Sequence, residues 1–242
     1  MSDSARASIF ARIRYSGSGA SAAEIAAQRE ALGRAPAANL PGSDLYSSFL
    51  ANVLLNRGTV DVVGNRSEAV TAVGKYIYQH YRTHRLVAGN DPRLAAMPWR
   101  DAGVLPRFGE LEAGETVALS YARLGVAETG AVVTFTGRAN PAANNLLPEN
   151  HIVVVDGADL VPDMEMAWSR IAQAMTNEQR PRGINFIAGP SSTGDIEGKL
   201  VYGAHGPRHW HVILLGEVPQ AALDEARALA APAEPTTTGE LD

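Results

Sequence analysis

The sequence predicts an α/β fold: a mostly parallel sheet covered by helices on both faces, with a helical N-terminal extension. Three observations predict it. From Gly58 onward, short β-branched or apolar runs alternate with segments of helical period, the pattern of strands joined by crossover helices. The runs at 152–155 (IVVV) and 211–215 (HVILL) are apolar enough for strands covered on both faces. Residues 1–57, by contrast, carry only helical periods separated by Gly, Ser and Pro.

The extension, 1–57, reads as three helices. The first runs over 4–14, and the second over 21–32 is opened by a capping box of Ser21 and Glu24. Asp44 caps the third, which runs to about Asn56 with Leu45, Phe49 and Val53 on one face. The Pro- and Gly-containing joints at 16–19 and 36–42 predict an arm, not a separate core, and no residue here suggests chemistry.

The α/β domain spans 58–231. A strand at 59–63 ends at Gly64-Asn65, and a helix follows with Val70, Val73, Ile77 and Tyr81 at helical spacing. The strand at 85–88 is stopped by Gly89-Asn90-Asp91-Pro92. A short helical segment at 93–97 and a brief strand at 104–105, limited by Pro106, come next. Residues 115–126 read two ways: Val117, Leu119, Ala122 and Leu124 suit a helix, while local β-propensity suits a strand. Glu128-Thr129-Gly130 leads into a strand at 131–136, and a loop at 137–147 precedes the strand at 152–155. Met164, Trp168, Ile171 and Met175 make the stripe of another helix.

The stretch 183–215 carries the densest signal. After a strand at 183–188, Gly189-Pro190 is a stop and Ser191 or Ser192 can cap a short helix, with Ile196 and Leu200 one turn apart. Gly203 ends that helix, and Gly206-Pro207 turns the chain into the last strand. Pro219 opens a final helix at 220–229, and the Pro/Thr/Glu-rich tail, 232–242, is expected to be disordered.

Composition excludes several classes. A net charge of −5 with no basic run leaves no footprint for nucleic acid. There is no Cys, so disulfides, a thiolate nucleophile and Cys-ligated zinc or iron–sulfur clusters are excluded on this chain. No apolar stretch approaches the roughly 20 residues of a membrane span, and there is no signal-peptide pattern, so a cytoplasmic location is expected. Dinucleotide, P-loop and nucleophile-elbow sequences are missing.

In a parallel sheet, ligands sit outside the carboxyl ends of the strands. The loops expected there are 64–67, 128–130 or its neighbour, 137–150 and 189–195. An anion at the helix start after Gly189-Pro190 would be held by backbone amides and by Ser191, Ser192 and Thr193. Arg208, after a rigid turn, could clamp it through two parallel donors. Glu128 at a strand mouth could act as general base, and the alternative is capping of nearby amides. Asp195 and Glu197 diverge by about 200° on a helix, so Asp195 alone is a candidate, with capping equally open. His205 is a candidate proton donor or turn hydrogen-bond partner. His209 and His211 share one strand face, and metal ligation is the weaker reading.

Three motifs, taken together, resemble the lactate-utilisation protein C family, which is built on the LUD domain. They are GPSSTGDIEG…LVYGAHGPRHWHVILL at 189–215, Ala127-Glu128-Thr129-Gly130, and Leu146-Leu147-Pro148 before His151. The resemblance spans roughly 60–215. It implies the Rossmann-like sheet shared by phosphosugar isomerases, coenzyme A transferases and folate-cycle ligases. It also implies a role in oxidation of L-lactate to pyruvate with iron–sulfur partner proteins. This chain would then be an accessory or substrate-handling subunit with no cofactor of its own. The sheet type suggests two alternatives: a freestanding enzyme on a small phosphorylated or carboxylated metabolite, or a non-catalytic binding module. Gly194 stands where the resemblance leads one to expect Ala.

Overall fold

The computed structural model describes residues 3–17, 19–33, 36–177, 180–196 and 199–232. The chain divides into two compact units, 1–37 and 38–242. The first contains α1 (Asp3–Ser16) and α2 (Ala22–Ala31). α2 starts at the capping box read from the sequence: Glu24 N donates to Ser21 Oγ at 3.2 Å, and Ser21 N donates to Glu24 Oε2 at 2.6 Å.

The second unit opens with α3 (Leu45–Leu55), capped by Asp44, whose Oδ1 accepts from Ser47 N at 2.7 Å. Here the expected boundary at residue 57 moves. Phe49, Leu50, Ala51 and Val53 of α3 are fully buried in the α/β core, so this helix is not part of the extension. Phe49, Leu50 and Val53 each contribute roughly 1.5–3 kcal/mol by leaving water, far more than the helix could gain alone.

Next come β1 (Thr59–Val63), α4 (Arg66–Tyr81), β2 (Arg85–Ala88), α5 (Pro92–Ala95) and β3 (Leu105–Phe108). Pro106 is tolerated because β3 is an edge strand of its sheet. The ambiguous 115–126 segment is two strands, β4 (Val117–Tyr121) and β5 (Leu124–Val126), so its helical reading fails. Every residue of both strands is buried; alternating faces each find a core, which a helix at this place would not provide. Then follow β6 (Ala131–Thr136), α6 (Ala142–Leu146), β7 (Asn150–Asp156), β8 (Leu160–Val161), α7 (Met164–Asn177) and β9 (Gly183–Ile187). The chain ends in β10 (Ser192–Ile196), β11 (Lys199–Tyr202), β12 (His209–Leu215) and α8 (Gln220–Ala230).

Six strands form one parallel sheet in the order β1-β12-β7-β4-β2-β3. Helices cover both faces, as the sequence predicts. On one face Val70, Val73 and Ile77 of α4 pack on Leu119, Ile152, Val154 and Ile213. On the other, α3 and α8 pack on Val153, Val155, Val212 and Leu214.

A second sheet, β8-β5-β6-β9, is antiparallel at β5-β6 and β6-β9. α7 seals it with Ala167 and Ile171 against Leu124, Val126, Ala131 and Val133. The strand read at 183–188 belongs to this smaller sheet, not to the main one.

The helix expected after Gly189-Pro190 does not form. Residues 192–202 make an antiparallel hairpin of β10 and β11, with Ser192 opposite Tyr202 and Thr193 opposite Val201. A helix of two turns holding Gly194 and Gly198 is weak by itself, and Thr193, Val201 and Tyr202 favour strands. Glu197, and the tail from residue 233 on, lie outside the described residues. No helix among the described residues is long and apolar enough to cross a membrane.

Candidate functional site

The main sheet has a topological switch point between β2 and β4. The connection leaving β2 runs to the edge strand β3, whereas the chain leaving β4 travels the other way, to β7 and β12. The loops on the carboxyl ends of β2 and β4 therefore part, and the crevice between them is where open parallel sheets hold ligands.

Four chain segments meet at that crevice: 91–93 after β2, 121–123 from the end of β4, 135–140 from the end of β6, and 180–182 before β9. Gly89 allows the third to dock, since a Cβ there would lie 2.3 Å from the Ala139 carbonyl oxygen. Asn140 then fastens the loop by donating from Nδ2 to the Phe135 carbonyl at 3.2 Å.

The crevice has a volume of about 400 Å³, and Arg93, Arg123, Arg138, Arg180 and Arg182 line it against one acid, Asp91. Arg93 is fixed in place. It donates Nε and Nη2 to the two Asp91 oxygens at 3.1 and 2.7 Å, donates Nη1 to the Ala122 carbonyl at 3.2 Å, and lies 3.9 Å from the Tyr121 ring centre. Burial would raise the Asp91 carboxyl, but the hydrogen bonds and charge of Arg93, with the charge of Arg123, hold it below the usual range. The Arg123 guanidinium lies 5.3 Å from the centre of the Phe135 ring. Burial raises the Tyr121 phenol, and Asp156 adds to this while Arg93 and Arg66 oppose it.

Arg138, Arg180 and Arg182 form no ion pair with a described residue. They stand exposed at the rim of the crevice. A second chamber of about 680 Å³ shares Thr136, Gly137, Arg138 and Arg182 with the crevice and adds Asn90, Glu110, Pro141 and Ala142. The arrangement can bind anions through planar two-donor guanidinium forks.

The residues singled out from the sequence lie elsewhere. Glu128 sits on the β5–β6 turn, where its Oε2 accepts from Met164 N at 3.1 Å and so caps the start of α7. That turn docks on the end of α3: Asn52 Nδ2 donates to the Ala127 carbonyl at 2.7 Å, and Asn56 Nδ2 to the Thr129 carbonyl at 2.8 Å. Gly130 (φ 67) and Gly189 (φ 106) allow the approach. Their Cβ atoms would lie 2.6 Å from Asn52 C and 2.4 Å from Asn56 O.

Ser191 joins the hairpin base to the turn at 205–207. Its N–H donates to the Pro207 carbonyl, and its carbonyl accepts from Gly203 N, both at 2.8 Å. Ser192, Thr193 and Asp195 lie on β10, so the helix-start amides on which an anion site at Ser191–Thr193 rests are absent. His205 and Arg208 come together with Leu147, Pro148 and Glu149 in an open depression of about 640 Å³. It lies at the amino ends of β7 and β12, away from the crevice. The stem of Arg208 packs against Gly203, and its N–H donates to the Glu149 carbonyl at 2.8 Å.

His211 is buried, with Nδ1 2.8 Å from Thr59 Oγ1 and its ring stacked on Tyr76 at 3.9 Å. Sequence reasoning also missed a fully buried pair, Ser120 Oγ and His151 Nε2, 2.6 Å apart between β4 and β7. Burial lowers the His151 imidazole to about 3, which keeps it neutral. No described acid meets His151 Nδ1, so the pair is a polar link in the core and not a charge-activated nucleophile.

Residues 113–215 match the LUD domain family model. The chain is thus similar to the LUD domain over these residues and to several proteins named for lactate utilisation over more of its length. The matched stretch runs from the approach to β4 through β12 and includes Arg123, Arg138, Arg180 and Arg182. Asp91 and Arg93 reach the crevice from the preceding β2 loop. The chain is 27% identical over 184 residues to "Lactate utilization protein C" of an Exiguobacterium species, covering 72% of this chain and 79% of that one. It is 36% identical over 102 residues to the Bacillus subtilis protein of the same name, covering 42% of each. An uncharacterised Escherichia coli protein, YkgG, is 28% identical over 178 residues, covering 68% of this chain and 75% of the other. Among solved structures, a DUF162 family protein from Deinococcus radiodurans shares the fold at a TM-score of 0.53 and 21% identity, over 71% of this chain and 96% of that one.

Proposed function

We propose that this protein serves lactate utilisation by handling a small anionic metabolite in a system that oxidises L-lactate to pyruvate. The arginine-lined crevice at the switch point carries the reading. A carboxylate is the group that lactate and pyruvate share, and a guanidinium fork binds it with two parallel hydrogen bonds. Arg138 and Arg182 are the forks available for it. The names of the relatives in Exiguobacterium and Bacillus subtilis support the process. Oxidation of lactate releases two electrons and two protons, and the electrons pass to iron–sulfur clusters on partner proteins. With no Cys, this chain offers no thiolates to hold such clusters itself.

The test is growth on L-lactate of a strain lacking this gene, complemented with wild type or with an Arg138→Gln/Arg182→Gln double variant. The wild type restores growth and the double variant, at equal protein level, does not. Equal growth of the two strains overturns the crevice as the functional site.

A further inference from the structure

The crevice is larger and more cationic than a monocarboxylate requires. Lactate brings one negative charge, and the crevice holds five arginines, of which Arg138, Arg180 and Arg182 form no ion pair with a described residue. These three guanidiniums keep their donors open to an anion. Arg138 and Arg182 line both the crevice and the adjoining chamber, so the two cavities meet at this pair. Volumes of about 400 and 680 Å³ lie in the range of sites for ligands well beyond six heavy atoms. A tetrahedral phosphate presents three oxygens and up to two charges to several forks at once, against two oxygens and one charge for a carboxylate.

Resting on the crevice being the functional site, we infer that it binds an organic phosphate. The phosphate sits at the junction of Arg138 and Arg182, with Arg123 beside it, and the rest of the ligand extends into the chamber past Asn90 and Pro141. Such a molecule is a phosphorylated co-substrate or a phosphate-bearing cofactor; both present the same group to these residues. Lactate, or its oxidation product, then occupies the smaller remaining space.

Isothermal titration of the full chain with inorganic pyrophosphate, L-lactate and sulfate, at matched physiological ionic strength, tests this. Pyrophosphate is expected to bind at least tenfold more tightly than lactate or sulfate. Arg138→Gln and Arg182→Gln should each weaken pyrophosphate at least tenfold while leaving the ligand-free melting temperature unchanged, since both side chains are exposed. Pyrophosphate binding no tighter than sulfate overturns the phosphate inference; if lactate then binds and is lost in Arg182→Gln, the lactate reading stands alone. Pyrophosphate binding undiminished in both variants places the phosphate elsewhere and overturns the inference too. No binding of any of the three, with lactate growth intact in the double variant, overturns both readings. Titration with a nucleoside diphosphate and a sugar phosphate separates the two sources: tighter binding of the former indicates the cofactor class.

Discussion

Two regions of this molecule contrast in what their glycines and charges do. The motif turns at 127–130 and 189–191 are dense in sequence signal, and their glycines let backbone pass within contact distance of α3. The switch-point crevice is sparse in sequence signal, yet it collects arginines from separate segments around one volume. In the first region the polar groups are consumed: Asn52 and Asn56 hold the turn, and Glu128 caps α7. In the second, Arg138, Arg180 and Arg182 have no acidic partner among the described residues. A local motif thus reports a packing requirement here, while unspent charge marks the place where a ligand is expected.

The contrast breaks most visibly at Gly130. Gly130→Ala forces a side chain into a left-handed position and against Asn52, and we expect a loss of roughly 2–5 kcal/mol in urea denaturation. Pyrophosphate affinity of the folded fraction should stay at the wild-type value. A stable Gly130→Ala protein that has lost anion binding would move the site to the motif turn.

His151 gives the next effect, through pH. Its imidazole titrates near 3 when folded, against an ordinary value of 6.5. Between those values the unfolded chain binds a proton that the folded chain does not, so stability is full above pH 6.5 and falls as pH drops toward 3. The slope approaches about 1.4 kcal/mol per pH unit. Denaturation of wild type and His151→Asn from pH 7 to pH 5 should show this acid-side slope only in the wild type. Parallel curves would mean that the ring gains a proton in the fold, and would reopen the Ser120–His151 pair as a reactive group.

Smallest are the effects at the sequence-derived candidates. Glu128→Gln keeps a side-chain oxygen for Met164 N and should cost under about 1 kcal/mol. Arg208→Lys keeps the stem that packs on Gly203 and should change melting temperature little. Neither variant should alter lactate-dependent growth. A growth defect in either, with stability intact, would restore it as a functional residue.

Much of the fold was legible because it follows from local chemistry. Ser21-x-x-Glu24 and Asp44 cap their helices, and Val70, Val73 and Ile77 mark the buried face of α4. The apolar runs of β7 and β12 announce strands covered twice. The segment 192–202 misled because Ser, Thr and Asp after Gly-Pro suit a helix cap and an extended turn alike. Only pairing of β10 with β11 chooses between them. The crevice was illegible for a different reason. Residues 91–93, 121–123, 138 and 180–182 have no spacing in common, and Arg93 lies 89 positions before Arg182.

By itself the sequence determined the α/β class, the parallel strands, the helix caps and the absence of thiolate chemistry, since each depends on residue type and near-neighbour spacing. The tertiary structure alone decided that α3 belongs to the core, that the chain changes sheets at Ala122 and Arg123, and that four distant loops share one arginine-lined crevice. Those outcomes depend on strand order and on the close approach of backbones, for which no local pattern of side chains carries a code.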